Sequence, residues 1–187
     1  GMDWETDPMD INTGGWGLRL KTEDMAKFGQ LYLQKGNWNG VQILPEEWIE
    51  EATTMKIEQV PDAPQAAKDS SDWLQGYCYQ FWRSRNNTFR ADGAYGQFII
   101  IMPDQDAVLA ITAETPDMQD EINLVWKYLL PSMHKEILAA NENMASALKQ
   151  KLSSLALPLP IKKDNPSFAA EISGKAFLLE SNERQIK

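Results

Sequence analysis

The chain has 187 residues, 43% of them apolar and 24% charged, with a formal net charge of −9. That length supplies one domain with a sizeable core, or one domain and part of another. The acidic balance argues against nucleic acid or an anionic membrane as partner, because both need a basic surface. The lone cysteine, Cys78, excludes an internal disulfide and a cysteine-based metal site, and the lone histidine, His134, argues against a zinc centre or a Ser-His-Asp triad. No run of 18 apolar residues is present, so no membrane span is expected.

Met2 to Gly17 is acidic and turn-rich and reads as loop. Its Gly14-Gly15 pair lacks the Lys-Ser/Thr that would make it a phosphate loop. Asp3, Glu5, Asp7 and Asp10 lack the spacing of a calcium loop and read as a solvated cluster. "KTEDMAKFGQLYLQKG" predicts a helix, with Thr22 as N-cap and Glu23 and Asp24 at its positive end. Met25, Phe28, Leu31 and Tyr32 form its apolar stripe, and Gly36 is the stop. "NWNGVQIL" reads as a short turn or hairpin. "PEEWIEEATT" reads as a second helix opened by Pro45. Lys56 to Asp72 is polar, carries two prolines and reads as a mobile loop.

Trp73 to Ser84 is aromatic and partly alternating, hence strand-like. "RNNT" turns the chain. "FRADGAYGQFIIIM" and "AVLAIT" supply two more strands, joined by the turn formers Pro103 to Asp106, giving an antiparallel meander. The first of these poses a question: a strand beginning with Asp92 between small residues, then Gly93-x-x-Gly96. Asp117 to Leu130 is an amphipathic helix carrying Met118, Ile122, Val125, Trp126 and Leu129. Pro131 interrupts it, and Asn141 to Leu155 forms a further helix. "LPLPIKKDNP" reads as a linker. "ISGKAFLLESNERQIK" begins a strand pattern, with Phe177 and Leu179 on one face. The expected division is residues 1–131, a helical extension and linker over 132–160, and the start of a truncated β domain over 161–187.

Two Ser-x-x-Lys matches, Ser132/Lys135 and Ser146/Lys149, lie after the strands. The motif can place a nucleophile and its base one helical turn apart, but four-residue matches are common by chance. His134 reads as a surface or partly buried residue, and Cys78 as a small buried one. Trp16, Trp73 and Trp82 suit a binding groove, with core packing the default.

Three segments in order, "GGWGLRLKTEDMAKFGQLYLQKGNWNGVQILPEEWIEEAT", "GYCYQFWR" and "RADGAYGQFIIIMPDQDAVLAIT", resemble the C-terminal portion of the serine β-lactamase-like hydrolases. That superfamily includes class C β-lactamases, penicillin-binding proteins and related esterases. The resemblance implies an α+β fold, an antiparallel sheet packed with helices. It also implies an acyl-enzyme mechanism on an ester, amide or β-lactam-like bond, an extracytoplasmic setting, and no cofactor. By position, Ala91-Asp92-Gly93 replaces the family's Lys-Thr-Gly-type triplet. Ala94 would supply an oxyanion N–H, and Tyr95 would border a small-molecule or peptide-like substrate. The triplet's Lys is absent, and Asp92 would repel a substrate carboxylate and suit a cationic group. The family's Ser-x-x-Lys nucleophile and Tyr-x-Asn base both precede these segments, and no Tyr-x-Asn or Tyr-x-Ser occurs here. The isolated chain is therefore expected to be inactive. The alternative is a non-catalytic binding module of the same superfamily. Because "AVLAIT" would lack its family partner strand, self-association through that edge is expected.

Overall fold

The four-stranded sheet of the first 138 residues is built from local signals. A computed structural model describes residues 2–157 and 166–177. Two short ribbons come first. Strand β1 (Asp3–Trp4) pairs with β2 (Leu18–Arg19), which puts strand pairing into the stretch expected to be loop. Helix α1 (Thr22–Leu33) follows. Its N-cap is Lys21, without a side-chain cap. Thr22 instead begins the helix, its hydroxyl 3.2 Å from that of Thr112. Gly36 ends the turn after α1 with φ +83°, and its N–H bonds the Leu31 carbonyl at 2.8 Å. A side chain there would meet the Leu44 carbonyl oxygen, so only glycine fits. The hairpin β3 (Asn37–Trp38) to β4 (Val41–Gln42) and helix α2 (Glu46–Thr53) follow as expected, with Pro45 as N-cap rather than first helical residue.

Strands β5 (Trp82–Ser84), β6 (Thr88–Gly93), β7 (Gln97–Met102) and β8 (Ala107–Ile111) form one antiparallel sheet in sequence order. Only the end of the aromatic run Trp73–Ser84 is strand, and Tyr77 joins through isolated bridges to Ile57 and Trp82. The larger correction concerns "FRADGAYGQFIIIM", which is two strands. The chain reverses at Ala94-Tyr95-Gly96, and Gly93 pairs with Gln97. This explains Gly93-x-x-Gly96. A Cβ on Gly93 would sit 2.9 Å from Gln97 Cβ. Gly96 has φ +94°, and a Cβ there would lie 2.1 Å from Glu121 Oε2. Two glycines permit a three-residue hairpin that a longer side chain would close off.

The two faces of the sheet bury different cores. On one, Phe89, Ile99 and Ile101 pack with Tyr32, Ile49, Cys78 and Phe81 beneath α1 and α2. Gly29 of α1 lets the helix approach closely, since a Cβ would lie 2.5 Å from Val108 Cγ1 and 2.7 Å from Ile99 Cγ2. On the other face, Phe98, Ile100 and Met102 pack with Ile122 and Val125. These two belong to a helical run that starts as α4 (Met118–Leu124) and widens into a π-turn over Val125–Leu129. Asp117 caps α4 by accepting from the Asp120 N–H at 2.9 Å. The stretch Lys56–Asp72 contains helix α3 (Gln65–Ser70) and ends in a fully buried Asp72, so it is anchored rather than simply loop.

The fold is therefore α+β, an antiparallel sheet packed with helices. The chain divides into two compact units, residues 1–138 and 139–187. The second contains α5 (Glu142–Ser153), capped by Asn141, and α6 (Pro166–Ile172). Most of the expected linker, and the strand pattern from Leu178 onward with Leu179, lie outside the described residues. Among the described residues no helix is long and apolar enough to cross a membrane.

Candidate functional site

The backbone of β6 defines the site. Strand β5 pairs with β6 only as far as Trp82 opposite Arg90. The next three residues, Ala91, Asp92 and Gly93, pair with β7 on one side and have no strand on the other among the described residues. They also line a cavity of about 460 Å3, with Gln97 and Ile99 of β7 and Thr112 just past β8. Leu18, Arg19 and Leu20 and the α1 residue Met25 complete it. Ala94 and Tyr95 follow at the exposed hairpin tip. Tyr95 has φ +64°, a left-handed conformation that costs a non-glycine residue roughly 1–2 kcal/mol. The tip is held: the Thr115 N–H bonds the Tyr95 carbonyl at 3.0 Å, and the Gln97 amide donates to the Ala113 carbonyl. The structure thus places Ala91, Asp92 and Gly93 on one cavity wall and Ala94 and Tyr95 at its outer turn.

The Asp92 side chain is committed elsewhere. Its Oδ2 accepts from Arg90 Nε at 3.2 Å, with Arg90 Nη2 at 3.1 Å. Arg90 is fully buried. Its guanidinium carbon lies 4.4 Å from the Trp73 ring centroid and 5.7 Å from that of Trp82. Nη1 donates to the Asp72 carbonyl and to Ser84 Oγ. The reading of Asp92 as a free acid is therefore corrected: its charge is balanced from within the sheet. Trp73 and Trp82 embrace this arginine instead of lining a groove. Burial lowers the Arg90 pKa and raises that of Asp92, each more than the partner's charge restores. Sequence reasoning overlooked Arg90, although an arginine two residues before an aspartate on a strand puts both on one face.

Asp72, also overlooked, organises the face of the sheet that carries Arg90 and packs on α4. Its carboxylate accepts from Arg85 Nε at 3.1 Å and Nη2 at 2.7 Å, from Gln119 Nε2 at 2.8 Å and from Trp126 Nε1 at 3.0 Å. The Arg85 backbone N–H adds a bond at 2.9 Å. Burial pushes this carboxyl upward, but those donors together outweigh it and hold it below the usual range. Glu121 is the opposite case. Its Oε2 is buried against Gly96 with no hydrogen-bond partner among the described residues, and desolvation raises its pKa.

The remaining chemical candidates do not assemble. Ser132 sits in a 3-10 turn, its hydroxyl donating to the Leu129 carbonyl, and Lys135 lies outside that turn. Ser146 and Lys149 are exposed on α5, and His134 is exposed. Cys78 is buried with its thiol 3.3 Å from the Thr53 carbonyl, and burial pushes that thiol up. Among the described residues no three His, Cys, Asp or Glu side chains are grouped to hold a metal.

No family model matches the sequence, and no curated protein matches it. Solved structures do resemble it. One, "Putative 6-aminohexanoate-dimer hydrolase from Bacillus anthracis", superposes with a TM-score of 0.51 at 26% identity over 82% of this chain. The match covers 34% of that protein, so this chain spans about a third of the length of the structure it matches.

Proposed function

We propose that the chain is the C-terminal part of a β-lactamase-like serine hydrolase, with nucleophile and base contributed by sequence outside it. The observation that carries this reading is the open stretch Ala91–Gly93 of β6, which forms one wall of a cavity at the end of the sheet. An acyl group laid along such an edge finds backbone N–H and C=O groups with no neighbouring strand. The exposed turn at Ala94 follows directly, at the position where an oxyanion N–H would act. The likeness to a solved hydrolase supports the reading. In the assembled enzyme a serine would attack the acyl carbon, and its proton would pass to the missing base. The leaving group would depart from the tetrahedral intermediate, and water would release the acyl-enzyme.

The isolated chain should turn over neither β-lactams nor aryl esters, and no serine in it should be labelled stoichiometrically by an activated phosphonate. Labelling with turnover would place the nucleophile within these residues and overturn the proposal. A coding sequence upstream of residue 1 that contains no Ser-x-x-Lys would favour the non-catalytic binding module instead.

The same reading bears on self-association. Strand β8 has β7 on one side and no strand on the other among the described residues. Ala107–Ile111 carries neither charge nor proline, so this edge is a template for another chain. The isolated chain should form a small oligomer, limited in growth by its net charge of −9. Light scattering on a size-exclusion column, at several concentrations, reads this directly. A monomer at all of them would remove it.

A further inference from the structure

We infer that the cavity bordered by β6 is a subsite for an uncharged aliphatic chain. This inference rests on the hydrolase reading only for its role as a substrate subsite; the binding itself does not depend on it. The argument begins with the polar side chains in the wall, each of which is already engaged. Arg19 is ion-paired with Asp3 at 3.0 Å and also with Glu5. Asp92 is held by Arg90. The Gln97 amide donates to the Ala113 carbonyl, and the Thr112 hydroxyl meets that of Thr22. A cationic group seated against the aliphatic wall would lose hydration while the Asp92 carboxylate stays held by Arg90, a substantial cost. The one cation among the described lining residues, Arg19, lies exposed at the rim in its pairs with Asp3 and Glu5.

The remaining surface is aliphatic: Leu18, Leu20, Met25, Ala91 and Ile99, with the Gly93 backbone. Among the described residues no aromatic side chain lines it, so none of them favours a ring by stacking. A volume of about 460 Å3 lies within the range of small-molecule sites. An alkyl chain of several carbons would gain from burial against these walls, while an amide or ester at its end would reach the open backbone of Ala91–Gly93. The held Asp92 carboxylate and the anchored Gln97 amide thus do the selecting, by leaving a cationic ligand no side-chain acceptor in the aliphatic part of the wall.

The test uses the whole 187-residue chain and the uncharged probes acetamide, butanamide, hexanamide and octanamide, titrated while backbone amide resonances are followed by NMR. Shifts should concentrate at Ala91, Gly93, Gln97 and Ile99. Affinity should rise by about threefold to fourfold per added methylene until the cavity is filled. A terminal ammonium, in 6-aminohexanamide, should weaken binding relative to hexanamide by about tenfold or more. Leu18→Asp, at an exposed part of the wall, should abolish the length dependence while leaving the remaining spectrum unchanged. Affinity independent of chain length, equal binding of the ammonium probe, or shifts centred elsewhere would overturn the inference. Because binding needs no nucleophile, the outcome separates from that of the hydrolase proposal: alkyl amides can bind a chain whose upstream sequence carries no Ser-x-x-Lys, and the reverse can hold.

Discussion

Asp72→Ala will destabilise the first unit by about 3–5 kcal/mol, the range for removing one member of a buried charged network. The carboxylate is fully buried and receives four side-chain donors and one backbone N–H. Its loss leaves Arg85 without its counter-charge and the Trp126 indole and Gln119 amide without this acceptor. The stretch Lys56–Asp72 then keeps only the backbone bond of the Asp72 N–H to Gln119 Oε1 of α4, at 2.8 Å. Thermal unfolding at pH 7 should shift down by roughly 10 °C, given about 2–4 °C per kcal/mol for a chain of this size. The effect has a pH signature. The Asp72 pKa is lower in the folded state, so in acid the unfolded chain binds more protons. The stabilisation is therefore fully present above the ordinary carboxylate range and is lost as pH falls through the folded pKa. The gap between the native chain and Asp72→Asn should accordingly narrow below about pH 4. A gap constant from pH 7 to pH 3 would show that the network's charge contributes nothing.

The second large effect is expected at the Arg90–Asp92 pair. Asp92→Leu strands a fully buried guanidinium and should cost about 3–5 kcal/mol. The double variant Arg90→Met, Asp92→Leu should recover at least half of that loss. Burial shifts both pKa values toward the neutral forms, in line with buried ion pairs that apolar residues of similar volume replace without loss. Urea denaturation of the two single variants and the double variant gives the coupling energy directly. A double variant as unstable as the sum of the singles would mean that Arg90 matters for its bonds to the Asp72 carbonyl and Ser84 hydroxyl, not for the ion pair.

Glu121 and Asp72 act in opposite directions with pH. The Glu121 pKa is raised on folding by desolvation, so its contribution is present in acid and fades as pH rises through the folded value. Its oxygen abuts the Gly96 turn, which makes that hairpin the place where ionisation is felt.

Much of the architecture was legible from local chemistry. The apolar stripe of Met25, Phe28 and Tyr32, the stop at Gly36 and the turn formers at Pro103–Asp106 each act over a few residues, so the sequence by itself determined α1, α2, the β7–β8 hairpin, the presence of α5 and the α+β class. The stretch Ala91–Gly93 was singled out by an aspartate between small residues, and its role as a site was only what the hydrolase resemblance implied. Other features depend on residues far apart in the chain. The split of one expected strand into β6 and β7 was hidden because Phe89–Met102 has strand composition on both sides of the turn. The close approach of Glu121 to Gly96 shows why that turn position admits only glycine. The burial of Asp72 joins residues 47 and 54 positions apart. No periodicity records such a contact, because the energy comes from donors converging in a dry interior. The neutralisation of Asp92, and with it the uncharged character of the cavity, was likewise decided by tertiary structure: an aspartate in sequence is a free charge, and only packing against Arg90, Trp73 and Trp82 makes it an internal one.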